Sequence, residues 1–136
     1  MQKIFIDSST WVSFFAEDRK TKYAAKLFKR LFERQKSNKI LLPRLVYLEV
    51  INNLIKLKVS EESILFFKNI VQKKKQVRLV KTREKIYINA EEYARKVRLK
   101  TLDLLILTEA LASKVDKFIT FDRKLRKAYY QLTQKQ

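Results

Sequence analysis

The chain has 136 residues and carries 32 Lys+Arg against 14 Asp+Glu, a net charge of +18, with no histidine, glycine or cysteine. Those absences exclude disulfides and zinc–thiolate sites, the Ser-His-acid triad, imidazole metal centres, and the glycine-rich loops that cradle nucleotide phosphates. What remains for catalysis is carboxylate, hydroxyl, lysine and a bound cation.

Short β-rich runs alternate with longer helical stretches. Residues 4–6 predict a first strand, ending at Asp7. A short helix is expected over 11–16. A longer one over 23–35 places Ala24, Leu27, Phe28, Leu31 and Phe32 on one side, with Lys22, Lys26, Lys29 and Lys36 on the solvated side. Residues 40–42 form a second strand that stops at the only proline, Pro43. A helix over 44–57 follows and holds Glu49 near its start. Ser60 is the expected N-cap of a helix over 61–72, and the basic run Lys73-Lys74-Lys75 suits its C-terminal dipole. Residues 77–80 read as a third strand. A helix over 83–99 carries Tyr87, Ala90, Ala94 and Val97 inward. Thr101 caps a helix over 102–113 that is apolar nearly all round, hence buried. Residues 118–121 form the last strand and 123–132 a final basic helix.

Four strands alternating with helices predict an α/β fold, a parallel sheet of four or five strands flanked by helices on both faces. The length fits one domain over residues 1–132, with a disordered tail over 133–136. An apolar fraction of 46% is ordinary, so the charge is layered onto a normal core. A field of that sign attracts phosphate polymers, which makes nucleic acid the expected partner. No apolar run approaches the roughly 18 residues that span a bilayer. A strand also begins where the charged end of a signal peptide belongs. The expected location is therefore the cytoplasm, with no membrane partner.

Acids are scarce here, so their placement is informative. Asp7 ends the run Ile4-Phe5-Ile6 and Asp122 ends Phe118-Ile119-Thr120-Phe121. Glu49 and Asp103 lie inside or at the head of strongly apolar helical stretches. In open parallel sheets the strands' carboxyl ends share one edge, where ligands bind. Each acid has a plainer reading by itself: Asp7 or Asp122 as a helix cap, Asp103 as a charge opposing the helix dipole. Gathered on one edge, the four repel one another unless a cation sits among them. Carboxylates favour hard ions, Mg²⁺ or Mn²⁺.

Ile4-Phe5-Ile6-Asp7-Ser8-Ser9, Leu48-Glu49-Val50, Asp103 ahead of Ile106 and Ala110, and Ile119-Thr120-Phe121-Asp122 together resemble the PIN domain. Within it, the chain is most similar to the compact ribonucleases of the VapC type, toxins of toxin–antitoxin pairs. The resemblance implies a metal-dependent endoribonuclease whose Asp7, Glu49, Asp103 and Asp122 are catalytic and hold one or two Mg²⁺ or Mn²⁺ ions. Ser9 and Thr120 fall where the family places small polar residues, and would orient the carboxylates by hydrogen bonds. Lys100, Arg123 and Lys124, close to these acids in sequence, are candidates for RNA phosphate contacts. The resemblance also implies a homodimer and an antitoxin protein as partners. Trp11–Phe15 or residues 65–67 offer an apolar patch for dimerisation, with core packing the plainer use of both. The missing glycines and the abundant lysine depart from the family's pattern, without touching the acidic positions.

Three other readings compete. A PIN nuclease of housekeeping RNA processing has the same site and no antitoxin. An RNA-binding module with a vestigial site accounts for the charge, but not for acids at all four positions. Phosphoaspartyl chemistry requires a second Asp two residues after the first, where Ser9 stands, or an acidic pair ahead of the first strand-end aspartate, which is lacking.

Overall fold

The computed structural model describes residues 2–34 and 37–134. In the first strand, β1 (Lys3–Ile6), the side chains of Ile4, Phe5 and Ile6 are all at 0% exposure. A strand buried on both faces belongs inside a parallel sheet with helices on either side, and that is where β1 lies. The other strands are β2 (Lys39–Pro43), β3 (Val77–Val80) and β4 (Lys117–Ile119), in the spatial order β3-β2-β1-β4. All three pairings are parallel, with Ile4 opposite Ile40 and Lys117, and Ile40 opposite Val77.

The helices are α1 (Ser8–Phe15), α2 (Thr21–Lys29), α3 (Arg44–Lys56), α4 (Glu61–Lys73), α5 (Lys85–Ala94), α6 (Thr101–Ala112) and α7 (Arg123–Thr133), and a π-helical turn (Arg30–Arg34) continues α2. The crossovers β1→β2→β3 step outward in one direction, and β3→β4 returns across the sheet to the far side of β1. Right-handed crossovers therefore place α1–α4 on one face and α5 and α6 on the other. Trp11 holds the first layer together. Its ring centroid lies 4.7 Å from that of Phe28 on α2 and 5.4 Å from that of Phe67 on α4. Near the β4 edge, the Phe118 ring stacks on Tyr129 of α7 at 4.5 Å and meets Phe5 at 5.5 Å in a tilted contact. The reversal of direction at β1 opens a crevice beyond the carboxyl ends of β1 and β4.

Several local expectations change. The helix expected over 23–35 runs as α2 and then widens into the π turn; Gln35 and Lys36 lie outside the described residues. The helix expected over 83–99 is only Lys85–Ala94, and it buries Ile86 and Ala90 while Tyr87 and Ala94 are exposed. A short helix that packs along one edge shows a narrow inward face, and a shift of one residue rotates it by about 100°. Thr101 lies inside α6, whose N-cap position is Lys100. The last strand stops at Ile119, and beyond it the N–H of Asp122 turns back to the hydroxyl of Thr120. Thr133, expected in a disordered tail, closes α7 and donates to the carbonyl of Tyr129; Lys135 and Gln136 lie outside the described residues.

Candidate active site

Asp7 is the first residue after β1, and its backbone N–H donates to the carbonyl of Ile119 on β4 at 2.8 Å. That bond extends the β1–β4 ladder into the crevice and leaves Asp7 3% exposed. Asp7 also occupies the N-cap position of α1, yet its side chain makes no capping bond there. The carboxylate turns instead to Ser9 and Thr120. Ser9 Oγ donates to Asp7 Oδ2 at 2.9 Å and Thr120 Oγ1 donates to the same oxygen at 2.8 Å. Both hydroxyls are held from behind. The N–H of Phe121 donates to Ser9 Oγ and that of Asp122 to Thr120 Oγ1, each at 3.0 Å. The two residues predicted to orient the acids thus bridge the ends of β1 and β4.

The other acids arrive on helices that begin at the same edge. Pro43 ends β2, and its φ of −61° and lack of an N–H suit the N-cap position of α3. Glu49, on the second turn of α3, accepts a hydrogen bond from Ser8 Oγ at the start of α1. Asp103 sits in the first turn of α6, where a carboxylate complements the helix dipole. Asp122 N-caps α7, its Oδ1 accepting from the N–H of Leu125 at 3.2 Å. The capping role is therefore real for Asp122, and the same carboxyl faces the other acids.

All four line one cavity of about 530 Å³, together with Ser8, Ser9, Ser13, Asp18, Asn53 and Lys56. The electrostatics register their proximity. Burial pushes the Asp7 carboxyl up, and the hydroxyls of Thr120 and Ser9 pull it partly back. Burial also raises Glu49, the Ser8 bond opposes that shift, and the charges of Asp7, Asp103 and Asp122 add to it. Asp103 is raised by burial and by Asp122 and Asp7, with Lys100 acting in the opposite sense. Among the described residues no Lys or Arg lies within ion-pairing distance of any of the four; the pairs present are Arg95–Glu91 and Lys96–Glu92, both i,i+4 on the surface. Carboxylates that face one cavity without an ion-pair partner are the donor set that a hard divalent cation fits. Among the described residues, no three acids converge tightly enough to hold an ion in this arrangement.

Of the predicted phosphate contacts, Lys100 stands three residues before Asp103 at the head of α6. Arg123 and Lys124 are exposed on the first turn of α7, and neither lines the acidic cavity. Five polar lining residues, Ser8, Ser13, Asp18, Asn53 and Lys56, escaped the sequence reading. Asn53 and Lys56 stand four and seven residues after Glu49, so the helical period places them on its face, a signal that was legible. Asp18 has no such local signal. It enters from the turn after α1, where Ser13 Oγ donates to its Oδ2 at 3.0 Å.

The sequence has no significant match among curated proteins. Solved structures share its fold. The VapC20 toxin of Mycobacterium tuberculosis, which cleaves the sarcin-ricin loop, is 16% identical and superposes with a TM-score of 0.73, covering 92% of this chain and 94% of its own. VapBC2 from Rickettsia felis, bound to a DNA fragment from its promoter, is 14% identical with a TM-score of 0.66, covering 93% and 92%. At these identities the likeness is one of fold. The sequence itself matches the PIN domain over residues 4–130, and the chain therefore belongs to the PIN-domain family.

Proposed function

We propose that this protein is a Mg²⁺- or Mn²⁺-dependent endoribonuclease, hydrolysing RNA phosphodiester bonds at the acidic cavity and acting as the toxin of a toxin–antitoxin pair. The observation that carries this reading is the meeting of Asp7, Glu49, Asp103 and Asp122 in one cavity, none of them in an ion pair among the described residues. PIN domains are typically nucleases, and the fold likeness to VapC20 and VapBC2 supports the toxin role and an antitoxin partner.

Asp7, Asp103 and Asp122 are the groups we assign to hold the ion, and Glu49 either joins them or orients the attacking water. When bound, the ion stabilises charge on the phosphoryl oxygens and makes a nearby water more acidic. The chain's residues do the rest. Ser9 and Thr120 fix the rotation of the Asp7 carboxyl plane by addressing the same oxygen. Ser8 fixes Glu49. With no histidine in the chain, a carboxylate takes the proton from the attacking water. Lys100, Arg123 and Lys124, which neighbour Asp103 and Asp122 in sequence, are assigned as phosphate contacts. The protein works as a homodimer in this reading; Leu65 and Phe66 are exposed on α4 and available for contact, whereas Trp11, Phe15 and Phe67 belong to the core.

The test is cleavage of a mixed RNA pool with Mg²⁺, Mn²⁺ or EDTA, comparing the wild type with Asp7→Asn. Metal-dependent cutting that disappears in the variant is the expected result. Cutting that survives EDTA or the substitution refutes the site assignment. RNA binding without cutting in both proteins identifies a binding module with a vestigial site. Cutting without growth arrest on expression identifies an RNA-processing enzyme.

A further inference from the structure

A polyanionic substrate meets a problem at this site, because the cavity that must cut it is lined by five carboxylates, Asp18 included, against the single cation Lys56. Its flanking phosphates need cations close by, outside the cavity. One concave surface offers four of them and, among the described residues, no acid in its lining. A groove of about 360 Å³ runs between the connector joining α5 to α6 and the exposed side of α7. Lys96 and Arg98 stand on the connector wall, Lys124 and Lys127 on the α7 wall, and the floor is apolar, with Val97 and Ala128 buried.

Two further features make this more than a solvated basic patch. First, a hydrogen bond spans the two walls: Gln131 Nε2 donates to the carbonyl of Lys96 at 3.1 Å. Second, both walls lead to the acids. The connector continues through Lys100 into the first turn of α6 and Asp103, and α7 starts immediately after Asp122. On the connector, Lys96 reaches Glu92 at 3.8 Å and Arg98 donates to the carbonyl of Ala94. The exposed Lys–Glu pair is weak enough to yield to a phosphate. Among the described residues Lys124 and Lys127 have no carboxylate within ion-pairing distance. By contrast, Lys22 and Lys26 lie on the exposed side of α2 and line no such groove.

We infer that the groove between the α5–α6 connector and α7 is the track for the sugar-phosphate backbone of single-stranded RNA entering or leaving the acidic cavity, with Lys124 and Lys127 as its principal phosphate contacts. The inference rests on the ribonuclease reading of the cavity and adds where the strand runs. Contact is to the backbone, so it carries no base preference.

The test is fluorescence anisotropy of a short labelled single-stranded RNA, titrated in EDTA at several salt concentrations. Lys124→Gln/Lys127→Gln is compared with Lys22→Gln/Lys26→Gln, which removes the same charge from α2. Glutamine keeps the helix propensity of lysine, so both variants fold. The groove variant is expected to bind about tenfold more weakly, and its salt slope to fall by about 0.7 for each phosphate that is no longer neutralised. The α2 variant is expected to stay close to the wild type. Equal weakening in both variants, or none in the groove variant, overturns the inference. So does tighter binding of poly-glutamate than RNA through the same two lysines, which would identify an acidic polypeptide as the occupant. Binding in EDTA requires no cutting, so failure here leaves the cleavage result with Asp7→Asn untouched, and failure there leaves this one readable.

Discussion

Thr120 Oγ1 donates to Asp7 Oδ2 at 2.8 Å across a sequence separation of 113 residues. The bond is buried and joins the carboxyl ends of two neighbouring strands, so it holds a proposed metal-binding carboxyl in one orientation. Groups that orient a ligand in this way are commonly worth roughly 10–100-fold in metal affinity or activity, and Thr120→Val should lose about that much RNA cleavage. Thr120→Ser keeps the hydroxyl and should retain most of it. Full activity in the valine variant would show that Asp7 needs no such support.

Asp7, Glu49 and Asp103 each hold their protons more tightly than free carboxyls, owing to burial and, for the latter two, to neighbouring carboxylate charge. An ion that binds the folded state among them relieves that repulsion. Mn²⁺ or Mg²⁺ at about 100 times its Kd should stabilise the wild type by about 2.7 kcal/mol. Asp103→Asn should lose most of this gain. Thermal unfolding with and without the ion measures both, and a wild type indifferent to either metal contradicts the metal assignment.

Glu109 is 4% exposed on α6, and its Oε1 has no hydrogen-bond partner among the described residues. Burial raises its carboxyl above the ordinary value of 4.5, while Thr82 and Arg83 pull the other way. The sign follows from linkage. Well below the ordinary value of 4.5 both states hold the proton and the burial penalty is absent. As pH rises above that value the unfolded chain ionises first, so stability falls until the folded-state group has ionised too. Glu109→Gln removes the charge and should stabilise the protein at neutral pH by on the order of 1 kcal/mol. Denaturant titrations at acid and neutral pH should show the advantage shrinking as the pH is lowered through the glutamate range. An advantage independent of pH would place its cause elsewhere.

A chain without glycine still has to end its helices. Glu17, Lys58 and Lys114 take positive φ values of 52°, 57° and 50°, each just beyond a helix C-cap. At the end of α3 the N–H of Lys58 bonds the carbonyl of Ile55, and that of Val59 bonds the carbonyl of Leu54. This is the Schellman arrangement, whose left-handed residue is usually glycine. A side chain there costs about 1–2 kcal/mol. Lys58→Gly should therefore raise stability by about 1 kcal/mol, read as a higher denaturation midpoint with an unchanged m-value. A lower midpoint would mean that the lysine side chain contributes more than its backbone strain removes.

Local signals were clear where they depended on neighbouring residues. Val77–Val80 is the strand expected from its apolar run, Pro43 marks the β2–α3 boundary, and Ser60 accepts from the N–H of Ser63 as a helix cap. They weakened where a short element takes its orientation from what it packs against. In α5 the inward residues are Ile86 and Ala90, and Tyr87 and Ala94 are exposed, because contact with α6 chooses the face. The helix after Thr21 holds to its expected apolar side through Ala24, Phe28 and Leu31, although the last turn widens into a π turn.

Read alone, the residue order determined that this is a parallel α/β chain with acids at the ends of its first and last strands, because periods of about two and 3.6 residues and strand-end positions are local properties. It could not say which strands are neighbours. The order β3-β2-β1-β4 is a choice among pairings that local sequence leaves nearly equal, settled by how helices cover both faces of β1. That choice alone sets Asp7 beside Thr120, brings Glu49 and Asp103 to the same cavity, and admits Asp18 and Lys56 to its wall. Carboxylates far apart in the chain come close enough to repel only once packing between layers has buried enough apolar surface to hold them there.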